Sequence, residues 1–378
     1  MGQKVQSPMH TVSSLRGDRE YVEVVNADTE AGEIAPRYFL APLLIGVPSI
    51  LLMLLVAQLE GLPIRDPDAR YVGSPLALIT LIVVLFVLLD VIPRAFSRRS
   101  AEGVSFSQSV KSLFAERWWG RRGVIVMISI LGFYATYLSY RNLKNFLPFV
   151  TDGTLHDGAL LDLENAVFLG TQPATILHDV FGTGISADFL SFAYLLFLTF
   201  VPVSLGVALV WSGRVAAGLW YVVSLALVWM LGIVSYYLIP TLGPIYAEPA
   251  LFNDLPTTGV SELQARLLVE RGEAMVNPGG TDAVSSIAGF ASLHIAVVLT
   301  ACLVAHLVDA PRYLRIGLWV FLGFTFLSTV YFGWHYVVDD IGGIVIAFIG
   351  VYAGARLVGF RPPPLFRRSG RPVRAPAS

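Results

Sequence analysis

Charge is what this chain has least of. Only 14% of its 378 residues are Asp, Glu, Lys or Arg, against 55% apolar residues. That balance excludes a soluble globular protein. Cysteine is nearly absent as well: the single Cys302 lies inside an apolar run, where it allows no internal disulfide and reads as a small core residue. No repeat, low-complexity block, Gly-rich nucleotide loop or HExxH pattern occurs. The net charge of −1 hides a segregation of basic residues along the chain, and nothing in it calls for a nucleic-acid partner.

What the sequence does have is long apolar runs. At about 1.5 Å of rise per residue, a bilayer core of about 30 Å needs roughly 20 residues. Eight stretches qualify, near 38–59, 75–93, 123–140, 187–211, 216–239, 286–308, 313–332 and 336–358. The fold class expected is therefore all-α, a polytopic membrane helical bundle of about eight transmembrane helices. Four parts follow: a cytoplasmic tail (1–37), two spans with an amphipathic segment (38–122), a main transmembrane unit (123–358) and a basic tail (359–378). The leader lacks a charged-then-apolar signal pattern and reads as a flexible tail.

Lysine and arginine set the expected orientation. Arg94, Arg98, Arg99, Lys111, Arg117, Arg121 and Arg122 follow the second span, and Arg361, Arg367, Arg368, Arg371 and Arg374 fill the C-terminal tail. Basic loops stay inside, so both termini are expected in the cytoplasm of a plasma (inner) membrane protein. Two segments, about 141–186 and 240–285, then face outward as natural substrate-facing surfaces. Val104–Trp119 mixes apolar residues with Lys111, Glu116 and Arg117, as a helix on the inner interface does; Ser261–Met275 is a similar run in the second outer segment.

Against this background YFGWHYVVDDIGG, Tyr331–Gly343, stands out for its histidine and two aspartates between apolar runs. His335 and Asp339 are one helical turn apart, so a carboxylate can accept from one imidazole nitrogen and leave the other free. That describes an oriented nucleophile or base, and equally a structural hydrogen-bonded pair. Asp340 points about 100° away around the helix. His294, preceded by Ser292, opens the sixth span at the same expected membrane depth. Helix starts offer free N–H groups to a phosphate oxygen. Arg141 and Lys144 lie three residues apart at the outer end of span three, where they complete a phosphate cradle or serve as snorkelling headgroup anchors. His156 and His178 read as solvated loop residues, His306 lies near the inner end of its span, and His10 is in the leader. Two other readings compete: zinc on His335 and Asp339, and a transporter or lipid-binding protein whose charged pair relays protons.

SLH at Ser292–His294 together with STVYFGWHYVVDDIGG at Ser328–Gly343 resembles the type 2 phosphatidic acid phosphatase (PAP2) superfamily. With YYLIPTLGP at Tyr236–Pro244, the set looks like its inositol phosphorylceramide synthase branch. The resemblance covers spans three to eight and implies a lipid phosphatase or phosphotransferase that needs no metal and no cofactor. It implies that His335 attacks phosphorus, that Asp339 orients it, and that His294 protonates the leaving oxygen of a membrane lipid phosphate, with water or an alcohol as acceptor. Departures from the superfamily pattern are Leu293 in place of glycine, Thr329 where an arginine is usual, and no recognisable first motif. Phosphate binding therefore falls to Arg141, Lys144 and Ser292, with Tyr237 as a hydrogen-bond donor.

Overall fold

A computed structural model of the chain describes residues 36–65, 75–211 and 215–360. The two tails expected at 1–37 and 359–378 lie almost wholly outside the described residues. Thirteen α-helices are used below: α1 (Arg37–Glu60), α2 (Pro75–Glu102), α3 (Phe106–Arg117), α4 (Arg121–Val150), α5 (Asp157–Val167), α6 (Pro173–Phe181), α7 (Ile185–Gly206), α8 (Val215–Leu238), α9 (Pro244–Ala247), α10 (Gly259–Val276), α11 (Leu293–Leu307), α12 (Arg312–Tyr331) and α13 (Val337–Val358). Among the described residues there is no strand. Seven helices among the described residues are long and apolar enough to cross a membrane: α1, α2, α4, α7, α8, α12 and α13. The expected eighth, α11, is the shorter 15-residue helix Leu293–Leu307.

The shortening of α11 has a local cause. Residues 286–292 are apolar enough to continue the helix, but their amides are claimed by side chains and backbone of the segment before them. Gly289 N donates to Thr241 O at 2.8 Å, Phe290 N to Thr241 Oγ1 at 2.8 Å and Ala291 N to Ser235 Oγ at 2.9 Å. The helix begins only at Ser292, whose hydroxyl caps Ile295 N. Conversely α4 does not stop near residue 140 but runs on to Val150, so Arg141 and Lys144 lie inside the helix rather than at its end.

The centre of the bundle is α8, apolar all round and mostly buried, as a helix enclosed on every side must be. It packs on α13, α4, α11 and α1. Small residues set the close crossings: a Cβ on Gly46 of α1 would lie 2.8 Å from Gly132 O of α4, and one on Gly350 of α13 would lie 2.6 Å from Val228 of α8. The outer helices instead expose Leu51, Leu55, Leu81 and Phe192, a surface suited to lipid. Within α2 the buried Asp90 accepts from Arg117 Nε at 2.9 Å and the Trp118 indole at 3.3 Å, and pairs with Arg94, which pins α3 against α2.

The two segments between spans form a cap of short helices, α5 and α6 in the first and α9 and α10 in the second. They converge on the turn that joins α12 to α13. His178 Nε2 lies 2.8 Å from Tyr331 O, Gln264 Nε2 donates to Phe332 O at 2.8 Å, and Ile245 N donates to Gly333 O at 2.9 Å. His178 is thus a half-buried helical residue stacked edge-on to Tyr331, not a solvated loop residue. His156 is exposed, its amide bonded to Pro240 O at 2.8 Å.

Candidate active site

His335 stands in the short turn between α12 and α13. The chain can turn there because Gly333 takes φ 65°, where L side chains are strained; a Cβ on it would also press into the Phe252 ring. His335 is 3% exposed. Its Nδ1 lies 3.2 Å from Asp339 Oδ2, the one-turn pairing expected from their spacing. The same oxygen accepts from Tyr336 N at 3.0 Å, which fixes the carboxylate across the first turn of α13. Burial, reinforced by the nearby Lys144 ammonium, holds the His335 imidazolium well below its ordinary pKa, so the ring is neutral at pH 7.

The second histidine meets it directly. His294 Nδ1 is 2.9 Å from His335 Nε2 across 41 residues of sequence. Helices α11 and α13 begin side by side because Ser292 N donates to Asp339 O at 2.8 Å, and Gly343 leaves room for the Ser292 backbone. The His294 ring rests on Tyr194 and Phe197 of α7, with centroids 5.1 and 4.6 Å away. If His335 donates Nδ1–H to Asp339, its Nε2 carries the lone pair and His294 supplies the proton between the rings. With that tautomer the three side chains present one unprotonated nitrogen and one N–H at a single point.

That point opens on a cavity of about 470 Å³ lined mainly by apolar and aromatic side chains of α4, α7 and α8. Arg141 and Lys144 line it, as do both histidines. The Lys144 ammonium sits over the Tyr236 and Tyr140 rings, 5.3 and 5.9 Å from their centroids. One stripe of α10, Leu263, Arg266, Leu267 and Glu270, forms another part of the wall at helical spacing.

A family model described as the PAP2 superfamily matches residues 158–353. The chain belongs to this superfamily. No curated protein and no solved structure matches it. PAP2 membership points to an activity of phosphatase or phosphotransferase type in a membrane.

Of the residues singled out in the sequence, the structure brings His335, Asp339 and His294 together and sets Arg141 and Lys144 on the cavity wall. Two others lie apart. Ser292 is fully buried as the cap of α11 and does not line the cavity. Tyr237 donates its hydroxyl to Leu143 O at 2.7 Å, while its neighbour Tyr236 faces the cavity. Thr329, noted above as a departure from the expected superfamily pattern, is fully buried with its hydroxyl on Thr325 O at 3.0 Å. His306 is exposed in the last turn of α11, away from His294 at its start. Asp340 is buried beside Ser292. Sequence reasoning missed Tyr194, Arg266 and Glu270 at the cavity, and the two acids of α5 discussed below.

Proposed function

We propose that the protein is an integral-membrane lipid phosphatase or phosphotransferase that works through a phosphohistidine at His335 on the extracytoplasmic face. The observation that carries this reading is the hydrogen-bonded series Asp339, His335, His294 at the polar end of an apolar cavity. A lipid phosphate enters with its tail along the aromatic walls and its phosphoryl group between the two rings, replacing their mutual hydrogen bond. His335 Nε2 attacks phosphorus, and the bond from phosphorus to the lipid oxygen breaks. His294, protonated to the imidazolium beside the bound phosphate, gives its proton to that oxygen and is left neutral. In the second half an acceptor O–H loses its proton to His294 while its oxygen takes the phosphoryl group and the P–N bond breaks. Arg141 and Lys144 stabilise the charge on the phosphoryl oxygens.

Water as acceptor makes a phosphatase. An alcohol makes a transferase of the inositol phosphorylceramide synthase type, and the polar stretch of cavity wall at Arg266, Glu270 and Ser286 favours room for a hydroxylated second substrate. The test is phosphate release and head-group transfer by protein in detergent, given lipid phosphates with and without added polyol. Loss of both activities in His335→Ala and in His294→Ala is expected. Unchanged turnover in both variants, or turnover restored by zinc after chelation, overturns the reading.

A further inference from the structure

We propose that α5 is a brace for the nucleophile and that Asp157 and Glu164 are its positioning residues. These acids are seven residues apart, two helical turns, and so share one face of α5; with Leu160 they are its buried residues. Asp157 accepts from Gly243 N at 2.9 Å, from Leu242 N at 3.0 Å and from the Tyr336 hydroxyl at 3.2 Å. Glu164 Oε1 accepts from Val337 N at 2.6 Å. The two residues that follow His335 are thus both held by carboxylates of α5, one through its side chain and one through its backbone.

His335 needs this support. Its own amide makes only a long 3.4 Å hydrogen bond to Thr329 O, so the backbone that carries the ring is held mainly by the chain on either side. On the α12 side the carbonyls of residues 331, 332 and 333 are held by His178, Gln264 and Ile245. On the α13 side the anchors are Tyr336 N on Asp339 and the two α5 acids. Asp157 couples the two walls, because the same carboxylate also holds Leu242, a cavity-lining residue, and Gly243, whose φ of 106° brings it against the Trp334 carbonyl. Burying two carboxylates is unfavourable unless donors converge on them, and here every donor belongs to the site's framework. Neither acid lines the cavity, so they act on the chemistry through His335 and not on the substrate.

The brace rests on the proposed role of His335, and the experiment separates the two. Turnover of a short-chain phosphatidic acid in detergent is measured for the wild type, His335→Ala, Asp157→Ala, Tyr336→Phe, Glu164→Ala, Glu164→Gln and, as control, Asp162→Asn on the exposed face of α5. A displacement of the nucleophile on the ångström scale lowers kcat by about 100-fold with KM nearly unchanged, which is the result expected for Asp157→Ala. Tyr336→Phe and Glu164→Ala lower kcat less. Glu164→Gln, which keeps an oxygen for Val337 N, restores it, and Asp162→Asn matches the wild type. A raised KM with unchanged kcat, or no rescue by glutamine, overturns the brace while leaving the nucleophile in place. Turnover in His335→Ala overturns the functional reading and the brace with it.

Discussion

Replacing Asp339 with asparagine separates the carboxylate's charge from its shape. Asp339 Oδ2 receives two donors, His335 Nδ1 and Tyr336 N, while Oδ1 lies buried with no hydrogen-bond partner among the described residues. An asparagine has two orientations. With its oxygen in the Oδ2 position both hydrogen bonds survive and the NH₂ is buried unpaired, at about 1–3 kcal/mol. With its NH₂ there, it faces the Tyr336 N–H donor to donor, and that bond is lost as well. The first orientation wins, so His335 keeps its tautomer and the variant loses charge alone. As the P–N bond forms, the ring becomes cationic. A unit charge about 4 Å away at an effective dielectric near 20 is worth about 4 kcal/mol. That is about three decades in kcat. Single-turnover phosphate release from a lipid phosphate in detergent gives the rate, and ¹⁵N NMR of labelled histidine gives the tautomer. A fall below tenfold, with Nδ1 still protonated, refutes the electrostatic role assigned to Asp339.

Gly243→Ala is expected to destabilise the fold by several kcal/mol, since φ 106° is strained for alanine and its Cβ would overlap the Trp334 carbonyl; thermal unfolding in detergent measures it. Tyr237→Phe is expected to keep full activity and lose about 1 kcal/mol of stability with the Leu143 hydrogen bond, whereas Tyr236→Leu raises KM because it removes the ring that faces the cavity and carries Lys144. Lys144→Met is expected to weaken substrate binding, while Thr329→Arg buries a charge in a fully enclosed position and is expected to prevent stable folding rather than raise activity, as expression and KM show. Burial pushes the Glu164 carboxyl up from 4.5 to about 7, against the opposing Val337 hydrogen bond. A group whose folded pKa is raised contributes stability that is fully present below the unfolded value and lost as pH rises through about 7. Glu164→Gln is therefore expected to match the wild type at about pH 4 and exceed it by roughly 1–2 kcal/mol at about pH 8, after allowance for solvent screening.

The parts of the site that the sequence reveals are those set by local geometry. His335 and Asp339 are one turn apart on a helix, so their pairing follows from spacing alone. His294 could be paired with them because both helices begin where apolar runs begin. Tyr236 and Tyr237 show the limit of such reasoning. One residue is a rotation of about 100°, and α8 is apolar all round, so no pattern of polar residues marks the face turned to the cavity. Asp157 and Glu164 are less legible still. Their partners are backbone amides and a hydroxyl on residues 85 to 179 positions away, and an acid in a polar outer segment resembles a solvated one until the fold closes over it. The start of α11 was hidden for the same reason. Residues 286–292 have helical composition, and only the tertiary bonds to Thr241 and Ser235 hold them out of the helix.

The threonine at position 329 fits where the bundle puts charge. A cation there would sit in the packed interior between α12 and its neighbours, where Thr329 is fully enclosed. The cavity instead receives Arg141 and Lys144 from α4, a helix that precedes the segment matched by the family, and Arg266 from α10 in the outer cap. The position of α4 is fixed by its long contact with α1 at the Gly46–Gly132 crossing and by the Phe133, Tyr137 and Tyr140 rings packed on Trp229 of α8. The N-terminal helices are thereby tied to the chemistry. Arg65, just after α1, reinforces this by donating to Ala283 O and Pro278 O, while its backbone exchanges hydrogen bonds with Asn142. The strand of chain it holds leads directly into Val284, Ser286 and Ile287 on the cavity wall. The positive charge on the cavity wall thus comes in part from a helix outside the matched segment, and on the proposed reading the N-terminal helices help to hold the phosphate site in place.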